Sequence, residues 1–174
     1  MQARLEAVEG IAGAGQLHVH GPNVMLGYLR PDAPGKIVPP SDGWYNTGDI
    51  VAIDDDGFIA IRGRLKRFAK IAGETVSLAV VENIAAALWP DNAHAAVALP
   101  DGRKGEQIVL VTDAKEAGRM EMVVWAQNHG VTELALPRRI VMVDAIPILA
   151  TGKTDYVSVQ KMAEADSPHG TSGT

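Results

Sequence analysis

The hydrophobic pattern of this chain changes period near its middle, and that change constrains its architecture more than any other feature. Residues 17–62 read as short strands broken by turn signals. Leu17-His18-Val19-His20 alternates like a strand and stops at Gly21-Pro22-Asn23. Ile50 to Ile53 and Phe58 to Ile61 flank Asp54-Asp55-Asp56-Gly57, which reads as a hairpin turn closed by Asp-Gly. Pro31 to Gly43 carries four prolines and two glycines and predicts a long loop.

From residue 67 onward, strands alternate with helices. Phe68 to Ile71 is a short strand that turns at Ala72-Gly73-Glu74 into Thr75-Val76. Ser77 predicts an N-cap for a helix running to about Trp89, where Pro90 stops it. Leu78, Val81, Ile84, Ala85 and Leu88 give that helix one apolar face. Ala93 to Leu99 and Gln107 to Thr112 predict strands around an Asp101-Gly102 turn. Glu121 to His129 predicts a helix ended by Gly130, Ile140 to Val143 a strand, and Tyr156 to Glu164 a third, short helix. Such alternation predicts a compact α+β domain over residues 67–164. Residues 1–62 are the β-rich part, 63–66 the connector, and 165–174 a Ser/Gly/Thr-rich tail expected to be flexible.

Composition removes several classes of function. Apolar residues make up 47% of 174, enough for a packed core. A net charge of −5 disfavours a grip on nucleic-acid phosphates. The absence of cysteine excludes disulfides, thiolate chemistry and Cys-based zinc sites. No apolar run reaches the roughly 18–20 residues of a membrane span. Met1 to Glu9 mixes Arg4 with Glu6 and Glu9 and does not read as a signal peptide, so the expected compartment is the cytoplasm.

Taken singly, the candidate sites have ordinary readings. Thr151-Gly152-Lys153-Thr154 ends like a phosphate-binding P-loop, but the position of that motif's first glycine is Pro147, which has no N–H to donate. Lys153 is then a turn lysine before a helix. Gly10, Gly13 and Gly15 have the wrong order for a dinucleotide fingerprint. His18 and His20 share a strand face without a third ligand and predict a surface strand rather than a metal site. Asp54-Asp55-Asp56-Gly57 lacks the alternation of a calcium loop. Asp49, beside Gly48 at the entry to an apolar strand, reads either as a turn carboxylate or as an acceptor for a ribose diol. Arg62-Gly63-Arg64-Leu65-Lys66-Arg67 reads as a charged connector or a hinge.

Together they form an ordered pattern. Tyr45-Asn-Thr47-Gly48-Asp49 is followed by Gly63-Arg64-Leu-Lys66-Arg-Phe-Ala-Lys70-Ile-Ala-Gly73-Glu and then by Pro147-Ile-Leu-Ala-Thr-Gly152-Lys153. The order, spacing and residue types resemble the adenylate-forming superfamily of acyl-CoA synthetases, peptide-synthetase adenylation domains and luciferases. A narrower resemblance rests on Gly21-Pro-Asn-Val-Met-Leu-Gly27-Tyr28, Lys66 to Glu74, His129-Gly-Val-Thr-Glu-Leu-Ala and Gly152-Lys153-Thr-Asp155. It points to the bacterial bifunctional 2-acylglycerophosphoethanolamine acyltransferase/acyl-[acyl-carrier-protein] synthetases.

The resemblance implies that residues 1–62 end a large adenylation domain as its β-rich, distorted-barrel piece. Residues 63–66 would be the hinge, and 67–164 the small mobile C-terminal domain. The family's phosphate loop and acyl pocket lie upstream of these motifs. The chain is therefore expected to be a fragment that does not complete the reaction alone. By resemblance, Lys153 is the adenylation lysine, Asp49 and Arg64 bind the nucleotide ribose, and Lys66 is the hinge. Lys70 serves the thioester-forming step, and Gly73 lines the pantetheine channel. Asn46 departs from the pattern, which often has a basic residue there. The implied substrates are ATP with Mg2+ (held mainly outside this fragment), a fatty acid, and a phosphopantetheine thiol on acyl carrier protein or coenzyme A. Five basic residues in nine (Arg62, Arg64, Lys66, Arg67 and Lys70) suit either anionic acceptor, or serve only as a solvated hinge. The alternatives are an acyl-CoA synthetase fragment or a non-catalytic binding module of the same fold. Intact Asp49, Arg64 and Lys153 favour a catalytic piece.

Overall fold

The computed structural model describes residues 1–166, and most of the tail expected from residue 165 lies outside them. The chain forms two compact units, Met1–Lys66 and Arg67 onward.

In the first unit the strands are β1 (Gln2–Ala7), β2 (Gly15–His20), β3 (Tyr28–Leu29), β4 (Ile37–Val38), β5 (Tyr45–Ile53) and β6 (Ile59–Arg64). Four of them make an antiparallel sheet in the order β1-β2-β5-β6, which is open, with β1 and β6 at its edges. The predicted hairpin is present as β5 and β6. Two features depart from expectation. All six residues of β1 are exposed, so no hydrophobic alternation announces it, and its conformation comes from a full ladder with β2. Gly63 and Arg64 belong to β6 rather than to a loose connector. Gly63 lies opposite Ile50 and Ile61 opposite Val51, so Arg62 is the extra residue of a β-bulge. The Pro31–Gly43 loop contains β4 and a short 3-10 turn, Ser41–Gly43. His18 is buried within the sheet, not on its surface, with Nε2 2.9 Å from Glu6 Oε2.

The second unit comprises β7 (Phe68–Ile71), β8 (Glu74–Ser77), α1 (Leu78–Leu88), β9 (His94–Asp101), β10 (Gly105–Thr112), α2 (Arg119–His129), β11 (Arg139–Met142) and α3 (Tyr156–Ala165). Strand β10 organises it. One edge pairs along its whole length with β9, from Gly105↔Asp101 to Thr112↔His94. The other edge is shared by β7, which meets it at Gly105↔Ile71, and by β11, which runs parallel from Val109↔Arg139 to Thr112↔Met142. Successive side chains of β10 point to opposite faces. Ile108 and Leu110 enter a core with Leu78, Val81 and Ile84 of α1 and Met122 of α2. Val109 and Val111 enter a second core with Val159 and Ala163 of α3. All four residues are at most 1% exposed. A strand covered by helices on both faces reads as an unbroken apolar run, as 108–111 does. The α+β architecture read from the sequence is the one observed, with three α-helices among the described residues.

Local chemistry explains the element ends. Ala72 (φ 51) and Gly73 (φ 88) both take the left-handed conformation that a two-residue hairpin turn needs. Helix α2 stops at Gly130 (φ 67). Ser77 holds the N-cap position of α1, but its side chain makes no capping bond. Asp155 caps α3 through Val157 N at 3.1 Å and Ser158 N at 3.2 Å, and the Ser158 hydroxyl, which donates to its Oδ2 at 2.7 Å, together with these amide bonds holds its carboxyl below the usual range.

Candidate functional site

In the first unit the site is built on an irregularity of β5. Between Gln16↔Ile50 and His18↔Asn46, β5 advances four residues while β2 advances two, so Thr47-Gly48-Asp49 bows out of the ladder. Gly48 (φ 74) supplies the conformation this requires. Side chains close the bow. The Thr47 hydroxyl donates to Leu17 O (3.0 Å) and accepts from Asp49 N (3.1 Å). Asn46 Oδ1 accepts from Gly48 N and Gln16 Nε2, both at 2.8 Å. Asn46, the departure from the family pattern, is thus a structural acceptor here.

Asp49 and Arg64 face each other across β5 and β6. Arg64 Nε lies 2.7 Å from Asp49 Oδ1, and Nη1 donates to Thr47 O at 3.4 Å. The Asp49 side chain is 24% exposed and that of Arg64 66%, so the pair sits at a surface with the carboxylate recessed. Gln16, Tyr28, Tyr45, Asn46, Gly48 and Arg64 line an adjoining hollow of about 370 Å³. Lys66, also on its rim, lies in a short 3-10 turn, Leu65–Arg67. The sequence could place Asp49 at a strand entry but not pair it with Arg64; the ladder does that.

In the second unit, Lys70 and Gly73 occupy the β7–β8 hairpin. Ala72 N donates to Lys104 O at 2.8 Å, and Lys70 N donates to the Glu106 carboxylate at 2.5 Å, which fixes the hairpin to the start of β10. Lys153 is exposed on a closed loop. Leu149 N donates to Lys153 O (2.7 Å), Gly152 N to Leu149 O (2.8 Å) and Asp155 N to Pro147 O (2.9 Å). This loop runs straight into α3.

The five basic residues of 62–70 are not equivalent. Arg64 is engaged by Asp49, and Arg67 is drawn into the second unit, where its side chain is 19% exposed against Glu82. Arg64 and Arg67 are thus each engaged by a carboxylate of their own unit. Sequence reasoning missed Glu82 and Tyr156, both of which bear on Arg67. The only trace of Glu82 is an acidic residue beside the buried stripe of α1. Among the described residues, no three His, Asp or Glu side chains gather as a metal site. No helix among the described residues is long and apolar enough to cross a membrane.

Comparison with known proteins finds similar chains among CoA ligases. No family model matches the chain. It is 32% identical to the feruloyl-CoA synthase of an Amycolatopsis species over 143 residues, which are 80% of this chain and 28% of that protein. It is 34% identical over 143 residues to the long-chain-fatty-acid–CoA ligase of Salmonella typhimurium, covering 80% of this chain and 25% of the ligase. The structure of ATP-bound MatB from Rhodopseudomonas palustris matches in fold, with a TM-score of 0.72 at 23% identity over 94% of this chain and 34% of MatB. The homologues and structural neighbours are adenylate-forming enzymes of the acyl-CoA ligase kind, and the fold is that of adenylate-forming ligases. Such ligases use ATP with Mg2+. This chain spans about a quarter of the length of the curated relatives it matches.

Proposed function

We propose that the chain is the C-terminal portion of an AMP-forming fatty acid ligase. Residues 1–62 would end its large adenylation domain, 63–66 would lead out of β6 to the hinge at Lys66, and 67–164 would form the small mobile domain. The observation that carries this reading is the Asp49–Arg64 pair on the bowed segment of β5. It presents a recessed carboxylate, already oriented by a guanidinium, beside an open hollow. A carboxylate so held can accept hydrogen bonds from both hydroxyls of a ribose, and that orients the nucleotide and its α-phosphate.

In the first half-reaction a fatty acid carboxylate oxygen attacks the α-phosphorus of ATP, and the bond to pyrophosphate breaks. Negative charge gathers on the phosphoryl oxygens. Lys153, exposed on a loop closed by its own backbone bonds, stabilises that charge without transferring a proton. In the second, the thiol of a phosphopantetheine arm gives its proton to water, the thiolate sulfur attacks the acyl carbonyl, the acyl–phosphate C–O bond breaks, and AMP leaves. Lys70 and Gly73, on the hairpin braced by Lys104 and Glu106, serve this step. Gly73 is at the far end of β7 from Arg67, whereas Lys153 is three residues from Tyr156, whose ring lies against Arg67. Two separate loops of one unit acting in turn accord with reorientation of that unit about Lys66.

The pantetheine thiol is common to both acceptors. The narrower sequence resemblance favours acyl carrier protein, in recycling of phospholipid acyl chains, and the names of the curated relatives favour coenzyme A. We place the enzyme in the cytoplasm or, at full length, at the cytosolic face of a bacterial inner membrane.

The test is Lys153→Ala in the full-length protein. Pyrophosphate release from ATP and fatty acid should fall about 10²–10³-fold. Thioester formation from supplied acyl-adenylate, followed with acyl carrier protein and with coenzyme A in parallel, should be largely kept. A wild-type rate of adenylation would reduce Lys153 to a turn lysine.

A further inference from the structure

Arg67, the first residue of the second unit, has three partners within that unit. Its Cζ lies 3.9 Å above the Tyr156 ring centroid, and Nη1 donates to Ala96 O at 2.7 Å. Its Nη2 sits 2.7 Å from Glu82 Oε1 as a charge contact rather than an aligned hydrogen bond. Both side chains are less than one-fifth exposed. The same Glu82 oxygen accepts from Ala96 N at 2.8 Å and from the Tyr156 hydroxyl at 3.2 Å. The peptide N–H and C=O of Ala96 are thus both taken by side chains on the edge of β9 turned away from β10. The cluster joins the start of the unit to α1, β9 and the first residue of α3. Burial and the neighbouring Glu82 raise the Tyr156 pKa, which keeps its phenol a donor.

Tyr156 directly follows Asp155, whose N–H closes the Lys153 loop on Pro147 and whose carboxylate caps α3. Each link from Lys153 to Arg67 is therefore a covalent bond, a loop-closing bond or a buried contact. We propose that Arg67, Glu82 and Tyr156 are positioning residues that fix the Lys153 loop to the residue at which the unit begins, so that the unit delivers Lys153 as one rigid piece. The fixing of the loop stands on these contacts. Its value for adenylation rests on the reading of Lys153 given above.

Two measurements separate the two claims. In this chain, hydrogen exchange compares the amides of Leu149, Gly152 and Asp155 with that of Ala72 in the β7–β8 hairpin. Arg67→Met should speed exchange in the Lys153 loop about tenfold and leave Ala72 near its wild-type rate. No change in the loop, or an equal rise at Ala72, overturns the proposal. If Arg67→Met does not fold, Arg67→Lys and Glu82→Gln are read the same way. In the full-length protein, Arg67→Met should lower kcat for adenylation about tenfold to a hundredfold with the KM for ATP within about twofold. Arg67→Lys, which keeps charge but loses the planar fork, should recover only part of it. A rise in KM with kcat unchanged would overturn the positioning role. Lys153→Ala run alongside is the control: if it adenylates at the wild-type rate, the reading of Lys153 fails, and the fixing of the loop is judged on exchange alone.

Discussion

At the residue scale, Asp49 and Arg64 show how a weak surface contact can matter for binding while mattering little for folding. Arg64 is two-thirds exposed, and an ion pair with such a partner contributes about 0–1 kcal/mol to stability. The Thr47 and Asn46 bonds, not the ion pair, hold the bowed segment in place. Asp49→Ala should therefore leave the thermal midpoint of this chain nearly unchanged. In the full-length protein it should raise the KM for ATP about 10–100-fold, as expected for losing one or more charge-assisted hydrogen bonds of about 1.5–3 kcal/mol. Steady-state kinetics against ATP, with a melting curve for each variant, would check this. A large drop in midpoint with the KM unmoved would make Asp49 a structural residue of the bulge.

At the element scale, helix α2 offers a clean measurement. Gly130 ends it at φ 67, and a Cβ there would meet nothing within 4 Å. Any cost of Gly130→Ala is therefore conformational rather than steric crowding by neighbours. Alanine in the left-handed region costs about 1–2 kcal/mol, and asparagine, which enters that region more readily, should cost less. Denaturant titration of both variants, followed through the transition of the second unit, would test the ranking. Equal stability of the two would mean that the helix end relaxes into another cap. The N-terminus of α1 is the instructive contrast, because Ser77 occupies the capping position without making the bond. The strand β8 delivers the chain there directly, and the packing of Leu78, Val81 and Ile84 supplies the stability a cap would otherwise add.

At the scale of the whole molecule, the two units are differently made. Both clusters of buried hydrophobic residues belong to the second, whereas Ile50 and Val51 are the buried aliphatic side chains of the first. The division falls after Lys66, within the 3-10 turn Leu65–Arg67. If Lys66 is the pivot, fixing its backbone should separate the half-reactions. Proline holds φ near −65° and restricts the residue before it, here Leu65. Lys66→Pro in the full-length protein should keep adenylation and lose most thioester formation. Measuring pyrophosphate release and transfer from supplied acyl-adenylate separately would check it, and equal loss in both would argue against a hinge at this position.

What the sequence determined alone is whatever short-range physics governs. The apolar run of Ile50 to Ile53 before an Asp-Gly turn, the helical stripe from Leu78 to Leu88, the Ala72-Gly73 turn and the stop at Gly130 are local consequences of side-chain pattern and allowed φ. The order of the Thr47-Gly48-Asp49, Lys66 to Gly73 and Gly152-Lys153 segments was equally legible, because a motif is a linear pattern. Only the tertiary structure decided the rest. Strand β1 has no buried face and exists through its ladder with β2. The extra residues of the Thr47–Asp49 bow are set against β2, and Arg62 against β5, by register between distant segments. Arg64 and Arg67 look alike in the sequence, yet one turns to Asp49 and the other to Glu82, Ala96 and Tyr156. Those choices depend on which distant backbone and carboxylate groups come within reach of a guanidinium, and contacts between residues 29 or 74 positions apart leave no periodic trace in the chain.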